Sequence, residues 1–68
     1  MENFLLYTDS FGIREFFAGK QNGVNVFTSN QGEGHKFATT SAAERIGREL
    51  SKAEGLQGAA WRVLTIEG

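Results

Sequence analysis

The residues able to do chemistry are few, and none has the company that chemistry demands. His35 is the only histidine, set between Gly34 and Lys36 with Glu33 two positions earlier. Metal ligation or acid–base catalysis at an imidazole needs a second imidazole, a thiolate or a converging carboxylate. The chain has no cysteine and no other histidine to supply one, so His35 reads as an exposed loop side chain. Gly32-Glu33-Gly34 looks like part of a phosphate-cradling loop. The third glycine of that pattern is missing, however, and Phe37 intervenes before any helix can open. Ser10, Ser29, Ser41 and Ser51 lack a nucleophile-elbow setting. Asp9 and Glu15 would face one another across a turn, where carboxylates are ordinarily solvated. The expectation is a non-enzymatic protein with no metal and no cofactor.

A second set of residues points to binding. Tyr7, Phe16 and Phe27 fall at positions that could share one sheet face, with Arg14, Lys20, Lys36 and Arg62 near its edges. Aromatic rings inside a positive groove hold single-stranded nucleic acid by base stacking. Ordinary core packing or packing at an interface with a protein uses the same rings, in the second case with arginines at the rim. Charge separates the two readings. Seven basic residues against eight acidic give a formal net charge of −1, which is not the electrostatic footprint of a nucleic-acid binder. The expected partner is therefore a protein, or a second copy of the chain, at Tyr7, Arg14, Phe16, Phe27 and Arg62. Single-strand nucleic-acid binding is the alternative.

The elements that would position these side chains follow from apolar spacing and turn chemistry. Asn3 to Thr8 reads as a strand, apolar on both faces. Asp9-Ser10-Phe11-Gly12 then supplies a turn. Ile13 to Ala18 reads as a second strand, antiparallel to the first because so short a connection cannot make a crossover. The pair Asn22-Gly23 marks a tight hairpin, and Val24 to Thr28 alternates as a third strand. Asn30 to His35 offers nothing to bury and reads as a mobile loop. Thr39 or Ser41 caps a helix in which Ala43, Ile46, Leu50 and Ala53 form one narrow apolar stripe. Glu44–Arg48 and Arg45–Glu49 make i,i+4 pairs on its other side. Gly47 suits a close approach to the sheet, and Gly55 ends the helix. Ala60 to Ile66 closes the chain as a strand with Trp61, Val63 and Thr65 on one face and Arg62, Leu64 and Ile66 on the other.

The predicted fold is a single α+β domain over residues 1–68: a three-stranded antiparallel meander, one helix on one sheet face, and a closing C-terminal strand, in the order β-β-β-α-β. At 68 residues such a domain buries only roughly 60% of the surface its unfolded chain exposes. With no disulfide possible, tight packing or self-association must supply the remaining stability. One slim helix covers one face, so the other, with its aromatics, is expected to be the working surface. No apolar run approaches the length of a membrane span, and Met1-Glu2-Asn3-Phe4 lacks the basic start of a signal peptide. A cytoplasmic location is expected.

Three segments carry a resemblance: Val26-Phe27-Thr28-Ser29, then Phe37-Ala38-Thr39 leading into Ala43-Glu44, and finally Trp61-Arg62-Val63-Leu64. Across residues 24 to 66 the chain resembles small phage- and prophage-encoded accessory proteins. It departs from them in its longer Gly-rich loop at residues 30 to 34. The resemblance implies a mobile-element protein that binds and modulates or inhibits a host protein, for example a defence component such as a CRISPR effector. Its shared positions are core and capping residues, so it assigns no functional residue.

Overall fold

The computed structural model describes residues 2–53 and 55–67. It contains β1 (Glu2–Thr8), β2 (Glu15–Gln21), β3 (Val24–Thr28), a short 3-10 turn (Gln31–Glu33), α1 (Thr40–Lys52) and β4 (Arg62–Glu67). The predicted α+β architecture is present, and β4 lands beside β1 to give one antiparallel sheet in the order β3-β2-β1-β4. At the β2–β3 hairpin Asn22 and Gly23 take φ of 52° and 79°. Two successive positive φ values are the signature of the turn that matches strand twist, which is why Asn-Gly stands there.

The second strand starts later than its apolar residues suggest. Ile13 lies outside it and is 60% exposed. The register between β2 and β3 shifts between Phe17 and Lys20, so Ala18 and Gly19 together oppose Val26. Gly19 adopts φ 103°, a conformation open to glycine alone at small cost. This bulge carries the strand on to Gln21. β1 and β4 instead pair without interruption from Glu2↔Glu67 to Tyr7↔Arg62.

Direct partners across an antiparallel ladder share a face. Phe4, Leu6, Val63 and Thr65 therefore lie on one side of the sheet, and Leu5, Tyr7, Arg62 and Leu64 on the other. α1 packs on the first side, against β1 and β4. Thr39 is its N-cap and accepts a hydrogen bond from the Ala42 N–H at 3.2 Å. Leu6, Phe17, Phe37, Ala43 and Leu50 form the core, with Ile46, Trp61 and Val63 packed around it. Gly47 makes that contact close: a Cβ there would sit 3.3 Å from Leu6 Cδ1 and 3.4 Å from Trp61 Cβ.

The loop after β3 is anchored, contrary to the expectation of a mobile segment. β1 and β2 pair only at Tyr7↔Phe16 and Thr8↔Glu15. Into the gap beyond comes Gly34–Phe37. The Phe4 and Phe37 main chains exchange hydrogen bonds of 3.0 and 2.8 Å, and the His35 N–H donates to the Phe17 carbonyl at 2.8 Å. The Asn30 side chain accepts from the Gly32 N–H and caps the 3-10 turn. The polar composition suggested mobility because it shows no apolar anchor; the anchor is main-chain pairing, to which composition is blind.

Candidate functional site

The expected working surface is not assembled. Tyr7 and Phe16 do share the face away from α1, with ring centroids 6.0 Å apart. Phe16 is nevertheless only 3% exposed, and its neighbour Leu5 is 0% exposed. Gly34 lies over both: a Cβ on it would stand 3.2 Å from Leu5 Cδ2 and 3.4 Å from Phe16 Cβ. Phe27 is on the opposite face. It pairs with Phe17, stacks on the Trp61 ring at 5.6 Å, and belongs to the margin of the core. The bulge explains the misplacement, since an extra residue in a strand exchanges its faces beyond that point. Tyr7, Phe16 and Phe27 thus present no platform of three exposed rings.

Arg14 is already engaged. Its guanidinium lies 4.3 Å from the Tyr7 ring centre and donates to both carboxylate oxygens of Asp9, at 3.0 and 3.2 Å. The side-chain hydrogen bond from Arg14 holds the Asp9 carboxyl below its ordinary value, with the charges of Arg14 and Arg62 acting in the same direction. Asp9 raises the Arg14 pKa in return, through the same hydrogen bond. Arg62 stays exposed on β4, on the Tyr7 side. Asp9 and Arg14 thus form an ion pair, the one found within 4 Å among the described residues.

His35 is exposed on the surface, yet its ring stands edge-on to Phe37 at 4.7 Å and to Phe17 at 5.9 Å. Gly19 leaves room for it, with a hypothetical Cβ 3.7 Å from His35 Nδ1. Among the described residues no three His, Asp or Glu side chains converge as a metal site would require. Among the described residues the large exposed apolar side chains do not form one patch: Phe11 and Ile13 lie before β2, while Val24 lies beyond its far end.

The more organised surface is one that strand alternation did not reveal. A groove of about 350 Å³ runs between α1 and β4, lined by Leu6, Glu44, Gly47, Arg48, Ser51, Trp61 and Val63. Glu44, Arg48 and Ser51 recur at four- and three-residue spacing, so they line one side of the helix. Trp61 contributes an indole N–H that is buried and has no acceptor among the described residues. The groove borders the open edge of the sheet, because β4 is its terminal strand. Main-chain direction on that edge follows from β1. Phe4 turns both its N–H and C=O toward Phe37, so the Phe4–Thr65 pair exchanges no main-chain bonds and Thr65 points its own groups outward. By alternation Val63 does the same, directly beside the groove.

The two open edges differ in kind. β3 is paired through a bulge, a device that twists an edge away from further pairing. β4 has an unbroken six-residue register; its charged residues, Arg62 and Glu67, stand at its two ends, and neither lysine nor proline falls within it. Its N-terminal approach is held by Thr8, whose buried hydroxyl donates to the Ala60 carbonyl at 2.7 Å, while the Ala60 N–H donates to Ser10 Oγ at 3.0 Å. Sequence patterning showed β4 and the Glu44/Arg48 stripe but not their adjacency, which is a consequence of strand order.

No helix among the described residues is long and apolar enough to cross a membrane. The chain matches no protein-family model, no curated protein and no solved structure.

Proposed function

We propose that this protein is a non-enzymatic interaction module that docks an extended segment of a partner protein along β4, beside α1. The observation carrying this reading is the juxtaposition of an undefended strand edge with the groove. Val63 and Thr65 offer outward main-chain groups that a fifth strand would satisfy, and alternate side chains of that strand would point into the space between α1 and β4. Main-chain pairing supplies affinity in such recognition, and the adjoining pocket supplies side-chain selection. The resemblance to phage and prophage accessory proteins makes the partner a host protein, whose activity the docking would modulate or block.

Selection of peptides from a displayed random library tests this. Recovered peptides should lose binding to a Thr65→Pro variant, which removes an outward N–H and leaves the bonds to β1 in place. Peptides that bind Thr65→Pro as tightly as the parent would place docking elsewhere on the molecule.

A further inference from the structure

We infer that the segment filling the β4 edge in the isolated protein is β4 of a second copy, paired antiparallel about a two-fold axis near Leu64. The inference rests on the docking edge just described and names its occupant. A two-fold axis normal to the sheet reverses strand direction while keeping both α1 helices on the same side. Residues facing across that axis then have the same parity. Val63 meets Thr65 of the second copy, and these are the residues whose main-chain groups point outward, so each such pair exchanges two hydrogen bonds. Leu64 meets its own copy on the face away from α1, flanked by Ile66 against Arg62. No like charges are opposed, and the sheet continues to eight strands.

The helices fit the same axis. α1 rests on β1 and β4 alike, so its axis lies over the gap between them. With strands roughly 4.8 Å apart, two such helices related across the β4 edge run roughly 10 Å from one another where they cross it, the spacing of packed helices. The stripe each turns to the groove carries Glu44 and Arg48 one turn apart. Neither takes part in an ion pair within 4 Å among the described residues. Reversal about a two-fold axis sets the Glu44 end of one stripe against the Arg48 end of the other. A surface that is complementary to its own reversed copy is what a symmetric dimer requires.

Sedimentation equilibrium of the full chain should give twice the 7.5 kDa of one copy, and Thr65→Pro should weaken association by at least about tenfold, from two lost hydrogen bonds per dimer. Circular dichroism of Thr65→Pro should match the parent, separating lost association from lost folding. Because the chain has no cysteine, a Leu64→Cys variant reports the register directly. Facing residues of a pair without main-chain bonds lie about 4.5 Å apart at Cα, within disulfide range. Leu64→Cys should oxidise to a covalent dimer, and Ile66→Cys should not. A parent that stays monomeric at high concentration overturns the second copy, even if selected peptides still require the β4 edge. Equal cross-linking of Leu64→Cys and Ile66→Cys also overturns it.

Discussion

A patch on each face of the sheet is closed by different means. On one, α1 presents an apolar stripe, and Leu50, Ala43 and Phe37 meet Leu6. On the other, a polar, Gly-rich loop covers Leu5 and Phe16, with Gly34 set against both, while Tyr7, Leu64 and Ile66 stay half-buried. The first patch is closed by side chains, the second by main chain that approaches closely because Gly34 has no Cβ. A count of apolar side chains therefore finds the first cover and misses the second. The general lesson is that an apolar sheet face without an apolar element to meet it need not be an interface. A loop held by strand-like hydrogen bonds can cover it instead.

The largest effects come from removing a filled position under either cover. Phe16→Ser deletes a buried ring beneath the loop and should cost about 3–5 kcal/mol, as aromatic truncations in cores do. A domain this small has a core that rarely contributes more than about 3–5 kcal/mol net, so the variant should be unfolded by circular dichroism. A folded Phe16→Ser would mean that the loop does not close this patch. Leu50→Ala makes the matching cut beneath α1 and should cost about 2–5 kcal/mol by urea denaturation. A loss below about 0.5 kcal/mol would remove Leu50 from the core and with it the account of the helix face.

Gly34→Ala isolates the unusual cover. The added methyl would meet Leu5 Cδ2 at 3.2 Å and both Phe16 Cβ and the Gln31 carbonyl at 3.4 Å. Two of these neighbours are buried side chains in place, and the third is backbone, so there is little room to yield. Overpacking of this kind costs typically about 1–3 kcal/mol. An unchanged urea midpoint would show that the loop stands further from the sheet than this contact requires.

What the sequence made legible follows the same division. The alternation in Val24 to Thr28, the Asn22-Gly23 turn, a helix cap at Thr39 or Ser41 and the stripe through Ile46 and Leu50 are local patterns; each element is present, and the cap is Thr39. The β4 phase was also readable, with Trp61 and Val63 turned toward α1. Three features were not. The bulge at Ala18-Gly19 reversed the relation of Phe27 to Phe16, and a lone glycine in a strand does not announce which residue it displaces. The Gly34–Phe37 strap depends on a gap between β1 and β2 that no local pattern encodes. The groove depends on β4 joining the sheet beside β1 rather than beside β3, and strand order is a long-range property. Phe27 does not share a face with Tyr7 and Phe16 for the first reason, Phe16 lies covered for the second, and the groove stayed hidden for the last.

His35→Ala probes where the loop touches both the core and solvent. The ring lies edge-on to Phe37 and Phe17 while staying exposed. Edge-to-face contacts between rings are worth about 0.5–1.5 kcal/mol beyond area burial, and the exposed setting argues for the lower part of that range. Thermal denaturation should therefore show a small, reproducible loss, in contrast to the neutrality expected of an idle loop residue. No change at all would mean that the strap is held by its main-chain bonds alone.

Asp9→Asn should produce the smallest effect, and one that depends on pH. The Arg14 hydrogen bond lowers the Asp9 carboxyl below its ordinary 3.8, so the folded state favours the carboxylate more than the unfolded chain does. Stability from that preference is fully present above the unfolded value and is lost as pH falls through the lower, folded value. The parent should thus melt slightly above Asp9→Asn at neutral pH, and the two should converge in acid well below 3.8. The difference should also shrink with added salt, because both side chains are about half exposed and exposed pairs are screened. Arg14 also covers the Tyr7 ring, so the Tyr7 ring resonances in an NMR titration should shift over the same acid range in the parent and stay still in Asp9→Asn. A melting difference that persists unchanged into strong acid would assign the role of Asp9 to the turn it occupies, where its carbonyl accepts from the Gly12 N–H at 3.3 Å, rather than to its charge.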